Sequence, residues 1–235
     1  EASGAAPCEP KEYFPGRSDS NKTRGYFGGA RQLMKRCTII GKPNVGKTMF
    51  LINFAEYLGA KALNVDLLYS DGTKNSINLS SKTAVLRLVD ENPHKTRCIQ
   101  EITLNVPMGK GKKKIKIVDT AGLIDGIHPD VDVRKAISQT LSIIRDSDLI
   151  LHIIDAPAAK SKDLPSSMGE VDYQIAQFAQ LKRGYAILAN KMDLPAANEG
   201  LDKIKEEFPG HLILPISALY KRGFKEVKAF VVRNI

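Results

Sequence analysis

"GKPNVGKT", Gly41–Thr48, follows the apolar run "RCTII" and precedes the amphipathic run "MFLINFAEYL". Strand, glycine-bounded loop and helix, in this order, are the context in which such an octet forms a phosphate-binding loop. The two glycines permit a tight loop whose backbone N–H groups converge on phosphate oxygens, and the helix adds the positive end of its dipole. The stretch therefore predicts an α/β fold that binds a nucleotide.

The side chains of this loop have separate expected roles. Lys47 is expected to bridge the β- and γ-phosphates, and the Thr48 hydroxyl is expected to coordinate Mg2+. We assign nucleotide contacts to the whole segment: Gly41, Lys42, Pro43, Asn44, Val45, Gly46, Lys47, Thr48 and Met49. The loop alone does not choose between ATP and GTP, or between a hydrolase and a kinase.

The strand pattern "KIKIVDTAGL" ends in a second phosphate-associated motif, Asp119-Thr120-Ala121-Gly122. A carboxylate at the end of a strand can hold Mg2+ through water, opposite Thr48. Gly122 allows the backbone to approach the γ-phosphate and to donate an N–H to it. Such a motif is common by chance, and its position after an apolar strand downstream of a phosphate loop makes it informative.

The strand pattern "YAILANKMDL" ends in a motif that selects the base. Asp193 can accept both the ring N–H and the exocyclic amine of guanine, and adenine lacks that donor pair. The stem of Lys191 can cover the purine face and Asn190 can tie this loop to the phosphate loop, although Asp193 could also be a helix N-cap. The last motif comprises Ser217, Ala218 and Leu219, and one of its backbone N–H groups is expected to donate to the guanine carbonyl oxygen.

Composition limits the class of protein. The 235 residues carry 35 Lys plus Arg against 26 Asp plus Glu, and this net charge of +9 favours a polyanionic partner such as RNA. Three widely spaced cysteines and four histidines show no metal-ligand spacing, which favours a reducing cytoplasm, with an organelle matrix as the alternative. No apolar run reaches the ~20 residues that a transmembrane helix needs.

The order of strand and helix patterns predicts the fold. Residues 1–32 are basic and rich in Gly, Pro and Ser, and are expected to form a flexible tail or a docking arm. Residues 33–235 alternate strands with helices, which predicts a mixed, mostly parallel six-stranded sheet with helices on both faces. The strands "IQEITLNV" and "KKIKIVDT" are joined by the short turn "PMGKGK", which predicts an antiparallel hairpin.

Taken together, "GKPNVGKT", "DTAGL", "NKMD" and "SAL" resemble the P-loop GTPases of the Era/EngA/TrmE type. This translation-factor-related group has a hydrophobic residue in place of the glutamine that orients water. The resemblance covers about residues 35–235 and implies a G domain that binds GTP and GDP with Mg2+, hydrolyses GTP and acts as a switch. Many relatives act on ribosome assembly or RNA, so a ribosomal particle or rRNA is the expected partner.

The threonine of the first switch region follows from the same resemblance. Thr96 in "NPHKTR" matches the family's P-x-x-T-R segment, and it would cover Mg2+ and sense the γ-phosphate; Thr83 is the alternative. Between Thr48 and Thr96 lie 47 residues, more than in short-loop relatives. The excess, about residues 59–91 and called here the insert, is either a surface for a protein effector or a longer switch region.

Hydrolysis presents a separate question, because Leu123 follows Gly122 where Ras-like enzymes have their glutamine. Asn44 resembles the asparagine that helps relatives hold K+ beside the phosphates, although loop stabilisation through its amide is the alternative. Our hypothesis is slow intrinsic hydrolysis, raised by K+ or by a partner. The candidate catalytic residues are Lys47, Thr96, Gly122 and Asn44.

Two other functions remain open at this point. The chain could be a GTP-controlled protein-interaction module with negligible hydrolysis, which would use the insert as its effector surface, or, more distantly, an ATPase or kinase. The predicted hairpin tip carries a basic cluster that could contact RNA phosphate or be an ordinary solvated turn. This cluster consists of Lys110, Lys112, Lys113 and Lys114.

Overall fold

The computed structural model describes residues 34–69, 71–89, 98–126, 131–159, 168–179, 182 and 184–235. Met34–Ile235 forms one compact unit. The predicted tail, residues 1–32, and the switch threonine Thr96 lie outside the described ranges. In the part of the chain that the structure describes, no helix is long and apolar enough to span a membrane.

A single sheet of eight strands organises the described residues. The strands are β1 Lys35–Ile40, β2 Ala62–Tyr69, β3 Lys74–Ser80, β4 Cys98–Met108, β5 Gly111–Asp119, β6 Leu149–Asp155, β7 Tyr185–Asn190 and β8 Ile213–Pro215. Their order across the sheet is β3-β2-β4-β5-β1-β6-β7-β8. The pairs β1–β5, β1–β6, β6–β7 and β7–β8 are parallel, and the pairs β2–β3, β2–β4 and β4–β5 are antiparallel. The predicted hairpin is therefore the pair β4–β5.

Helices cover both faces of this sheet. They are α1 Lys47–Tyr57, α2 Ser81–Leu88, α3 Val131–Arg145, α4 Ala156–Ala159, α5 Glu170–Ala179, α6 Ala197–Glu207 and α7 Phe224–Asn234. Buried residues of α1, α2 and α7 belong to one hydrophobic cluster, and those of α3, α4, α5 and α6 belong to another. The neighbours Ile39 and Ile40 of β1 lie in different clusters, as the two-residue period of a strand requires. The predicted fold class is confirmed.

The number of strands is eight rather than the six predicted, because the insert adds two. Leu63, Val65 and Leu79 alternate with polar residues along β2 and β3, and all three side chains join the core cluster that also contains α1. The chain then enters α2, whose N-terminus is capped by the Ser80 hydroxyl accepting a hydrogen bond from the Thr83 N–H at 3.2 Å. The insert is thus an integral edge of the sheet.

The sheet topology decides where functional side chains can meet. Strands β1, β5, β6, β7 and β8 run in the same direction, so their carboxyl ends lie at one edge, where ligands bind in open α/β sheets. The basic hairpin tip lies at the opposite end of β5. Eight residue steps separate Gly111 from Asp119, which corresponds to about 26 Å along the strand.

Candidate nucleotide-binding site

The loop between β1 and α1 adopts the conformation that a phosphate cradle needs. Gly46, the N-cap of α1, has φ 98°, in the left-handed region that favours glycine. A Cβ at this position would lie 2.5 Å from Nδ2 of Asn190, so the close approach of two loops also requires glycine. The Lys47 ammonium is buried and donates to the backbone oxygen of Lys42 at 2.7 Å. The loop is therefore closed around its own lysine.

Lys47 and Asp119 form a buried pair of opposite charge. Burial lowers the pKa of Lys47 to about 8, although Asp119 and Asp172 act to raise it. Burial raises the pKa of Asp119 to about 6, against the opposing effects of Lys47 and of the hydrogen bond from Thr48. The attraction between the two groups opposes both pKa shifts and favours the charged pair, which places an ammonium where phosphate is expected.

Thr48 and Asp119 fit the predicted Mg2+ site. The Thr48 hydroxyl donates to Oδ2 of Asp119 at 2.5 Å. The other carboxylate oxygen, Oδ1, is buried and has no hydrogen-bond partner. Buried polar atoms are almost always paired, and a hydroxyl beside a free carboxylate oxygen is a donor set suited to a hard cation. These residues could hold Mg2+.

The residues expected to read guanine are linked into one network at the ends of β7 and β8. The Asn190 amide donates to the Val45 backbone oxygen at 2.7 Å, so the predicted tie between this loop and the phosphate loop is present. The Ser217 hydroxyl donates to Oδ1 of Asp193 at 2.6 Å. The Ala218 N–H donates to the Asn190 side-chain oxygen at 2.9 Å. The Asn190 side-chain amide therefore connects the phosphate loop with the loop that contains Ala218. A donor to the guanine oxygen within 217–219 stays a prediction.

Two contacts in this network could not be read from the motifs. The Lys191 ammonium donates to Oδ2 of Asp155 at 2.5 Å, which fixes the lysine stem at the end of β6. The Asn53 amide of α1 donates to the Ala218 backbone oxygen at 2.8 Å. Asp155 is the last residue of "LILHIID" and therefore lies at the same sheet edge as Asp119 and Asn190, which is the signal that could have identified it.

A second layer of charge supports the phosphate loop. The Lys42 ammonium lies 2.7 Å from Oδ2 of Asp125 and 3.7 Å from Oδ2 of the buried Asp172. The Val171 N–H at the start of α5 donates to the other oxygen of Asp125 at 2.9 Å. Oδ1 of Asp172 lies 2.9 Å from Nε2 of the buried His152. The segment after Gly122 is thus connected to the phosphate loop and to α5.

The other predicted site residues take clear positions. Leu123 is 1% exposed and packs in the hydrophobic core, so a side chain at this position points away from the sheet edge. Asn44 is exposed and has φ 61°, a left-handed conformation that asparagine tolerates. Thr83 takes part in the N-terminal cap of α2. Leu219 is exposed, and Pro43 lies against Gly122.

Comparison with known proteins finds a matching GTPase family and partial relatives. A family model described as 50S ribosome-binding GTPase matches residues 75–191, which include the second motif and the first two residues of the third, Asn190 and Lys191. GTPase Obg from Shouchella clausii is 32% identical over 114 residues, covering 47% of this chain and 26% of that protein. GTPase Obg from Desulfitobacterium hafniense is 27% identical over 173 residues, covering 70% of this chain and 40% of that protein. The chain therefore spans less than half the length of these relatives.

Solved structures show the same fold. Era from Aquifex aeolicus, bound to GDP and AlF4−, gives a TM-score of 0.60 at 22% identity, with 86% of this chain and 57% of that chain covered. Era in complex with MgGDPNP and nucleotides 1506–1542 of 16S ribosomal RNA gives 0.58 at 24% identity, with the same coverage. With the four motifs in their expected places at the sheet edge, these findings show that the chain has a P-loop GTPase domain, similar to those of Obg and Era.

Proposed function

We propose that this protein binds GTP with Mg2+, hydrolyses it to GDP and phosphate, and acts as a molecular switch on a ribosomal particle or another RNA–protein assembly. One observation carries the proposal. Lys47, Thr48 and Asp119 converge at the edge of the sheet where Asn190 and Asp193 also lie, and hydrogen bonds connect the two groups.

Base selection would depend on Asp193. Its Oδ1 accepts from Ser217, which holds the carboxylate in one orientation while leaving it further acceptor capacity. Guanine offers two adjacent donors to such a carboxylate, whereas adenine leaves it facing an unmatched acceptor. Lys191, fixed by Asp155, would cover one face of the purine with its aliphatic stem.

Phosphate binding would use the buried charge at the loop. Lys47 would exchange its contact with the Lys42 backbone oxygen for the β- and γ-phosphates. Thr48 and Asp119 would hold Mg2+, which supplies charge neutralisation of the phosphate oxygens when bound. The Gly122 N–H would contact the γ-phosphate and Thr96 would close over the site, so that only the triphosphate form fixes both switch segments.

The attacking nucleophile would be water, with no covalent intermediate. Because Leu123 is part of the core, water must be oriented by something other than the side chain that follows Gly122. We therefore expect a slow intrinsic rate, raised by a partner that orders the region around Thr96 or by K+ near Asn44. The left-handed backbone of Asn44 is by itself a reason for asparagine at this position, and turnover compared in K+ and Na+ tests the potassium role.

The ribosomal partner is supported by charge and by relatives. The net charge of +9 favours an RNA-containing partner, the matched family is described as binding the 50S ribosome, and an Era structure contains 16S ribosomal RNA. The free cysteines Cys37 and Cys98 fit a reducing, cytoplasmic location. The basic hairpin tip is exposed at the end of β5 remote from the nucleotide, so it would bind independently of nucleotide state.

Nucleotide titrations and turnover assays test this function. We expect calorimetry to show Mg2+-dependent binding of GTP and GDP with at least about 100-fold weaker binding of ATP. The rate of GTP turnover is measured for the protein alone, with ribosomal particles added, and in K+ compared with Na+. These rates separate intrinsic from stimulated hydrolysis. Equal affinity for ATP and GTP would contradict the proposal, and identical rates in K+ and Na+ would remove only the potassium role.

A second candidate function is a GTP-controlled protein-interaction module with negligible hydrolysis. It is favoured by the insert, which places an exposed helix next to α1: Leu86 of α2 is 83% exposed. Tight GTP binding without turnover, together with a protein partner whose binding is lost on Leu86→Ser, would support this alternative. Salt-sensitive, nucleotide-dependent binding to ribosomal particles would support the first function.

A further inference from the structure

Gln100 is a polar residue at an apolar position of β4. The residues on its side of the strand, Ile102, Leu104 and Val106, are buried in the core cluster that contains α1. Gln100 continues this row and is only 3% exposed. Its amide oxygen, Oε1, is buried and has no hydrogen-bond partner. An unpaired buried acceptor costs free energy, so packing alone does not explain a glutamine here.

The position of Gln100 in the sheet suggests what its oxygen faces. Gln100 lies directly opposite Asp119 in the antiparallel pair β4–β5. Directly opposite residues of such a pair project to the same side of the sheet. Asp119 also carries a buried oxygen without a partner, Oδ1, while its Oδ2 accepts from Thr48. Two acceptors cannot pair with each other, so each of these oxygens needs a donor from elsewhere.

We infer that Gln100 is a positioning residue for the Mg2+ ion: its Oε1 accepts a hydrogen bond from a water ligand of the ion held by Asp119 and Thr48. A water molecule has two O–H donors and can therefore serve both unpaired acceptors, and Mg2+ typically keeps several water ligands in nucleotide sites. The inference rests on the proposed function, since it requires that Mg2+ binds with the nucleotide. Residues in this outer position orient the ligands of a metal.

The test is the Mg2+ dependence of nucleotide release. The rate at which a fluorescent GDP dissociates is measured over a range of free Mg2+ concentrations in wild type and Gln100→Met, which keeps the side-chain length but replaces the amide oxygen by a weakly accepting sulfur. We expect the half-saturating Mg2+ concentration to rise about 10- to 100-fold. The release rate in excess chelator should stay within about twofold of wild type, because the inferred contact exists only with the ion.

Two further variants make the test specific. Gln100→Glu restores an acceptor and should return the half-saturating Mg2+ concentration to within a few-fold of wild type. Leu104→Met changes a buried side chain on the same row without touching the site and should leave it unchanged. Thermal unfolding of nucleotide-free Gln100→Met should occur at the same temperature as wild type or higher, because the lost acceptor was unpaired.

The outcomes separate this inference from the proposed function. An unchanged Mg2+ dependence in Gln100→Met would overturn the inference while leaving GTP binding intact. An unfolded Gln100→Met protein would also overturn it, because the amide would then be needed by the fold without any ion. Wild-type protein that does not bind GDP would refute the proposed function itself.

Discussion

Replacing Gly122 by alanine tests how closely the second motif must approach the phosphate loop. An ideal Cβ on Gly122 would lie 2.7 Å from the backbone N of Pro43, 2.8 Å from its Cγ and 2.9 Å from its Cα. Ordinary van der Waals contact begins at 3.4 Å. Because backbone atoms form most of this contact, the two segments must separate by about 0.7 Å rather than rotate a side chain away.

The expected cost follows from that separation. The Leu123 N–H donates to the Gly41 backbone oxygen at 3.1 Å, and this hydrogen bond would lengthen beyond normal range. Overpacking of this kind lowers the free energy of unfolding by about 1–3 kcal/mol. The proposed contact from the Gly122 N–H to a charged γ-phosphate is worth about 1.5–3 kcal/mol, so its loss weakens GTP binding roughly 10- to 150-fold. GDP lacks that phosphate and should lose less than about threefold.

The assay compares affinities for GDP and for a non-hydrolysable GTP analogue by calorimetry in wild type and Gly122→Ala. Gly111→Ala is the matched control, because the nearest atom to its added Cβ is the Met108 oxygen at 3.8 Å. Both affinities should be unchanged in the control. If Gly122→Ala weakens GDP and the GTP analogue by the same factor, the motif does not sense the γ-phosphate and the reasoning is wrong.

Three further predictions address base selection, packing and the charged network. Asp193→Asn should weaken GTP binding by about 100-fold or more and improve binding of xanthosine triphosphate, which presents an oxygen where guanine has its amine. A competition assay in which the variant prefers GTP over xanthosine triphosphate as strongly as wild type does would contradict this prediction. Gly200→Ala should lower the free energy of unfolding by at least about 2 kcal/mol in urea denaturation, since its Cβ would lie 1.7 Å from the Ala156 backbone oxygen. For Asp125, burial alone would raise the pKa, but hydrogen bonds from Lys42 and Val171 outweigh it and lower the pKa below its ordinary value. The ionised Asp125 carboxylate therefore stabilises the fold at pH values above its unfolded pKa of about 3.9, and this stabilisation is lost as the pH falls through its lower folded pKa. Asp125→Asn should accordingly reduce the unfolding temperature at pH 7 and have little effect at acidic pH below the folded pKa. Because the Asp125 side chain is 40% exposed, the effect should stay below about 1 kcal/mol, and a difference that does not shrink on acidification would contradict the assignment.

The four motifs could be predicted because each is a short local pattern at the end of a strand. Asn190 ends the continuous apolar run of β7, and Asp119 follows the apolar residues Ile117 and Val118 at the end of β5. Parallel strands bring their carboxyl ends together whatever lies between them. The predicted tie from Asn190 to the phosphate loop is accordingly present at Val45. The order of strands and helices is therefore sufficient to predict the position of this part of the site.

The remaining features depend on register and packing, which a single sequence does not display. The role of the two added strands becomes clear only when Leu63, Val65 and Leu79 are seen to extend the core. Likewise, the pairing of Gln100 with Asp119 depends on the alignment of β4 with β5. Such contacts join residues far apart in the chain, and local patterns contain no information about them.

The hairpin β2–β3 has a consequence for how nucleotide state could be communicated. Strand β2 pairs with Cys98–Ile102 of β4, so the backbone groups of this part of β4 are already used, and β3 is the edge strand on this side of the sheet. A protein that recognises this side by adding its own strand would meet exposed Lys74, Asn75 and Asn78, which discourage such pairing. We therefore expect a partner that senses the nucleotide state on this side of the sheet to bind through side-chain contacts rather than by adding a strand to β3.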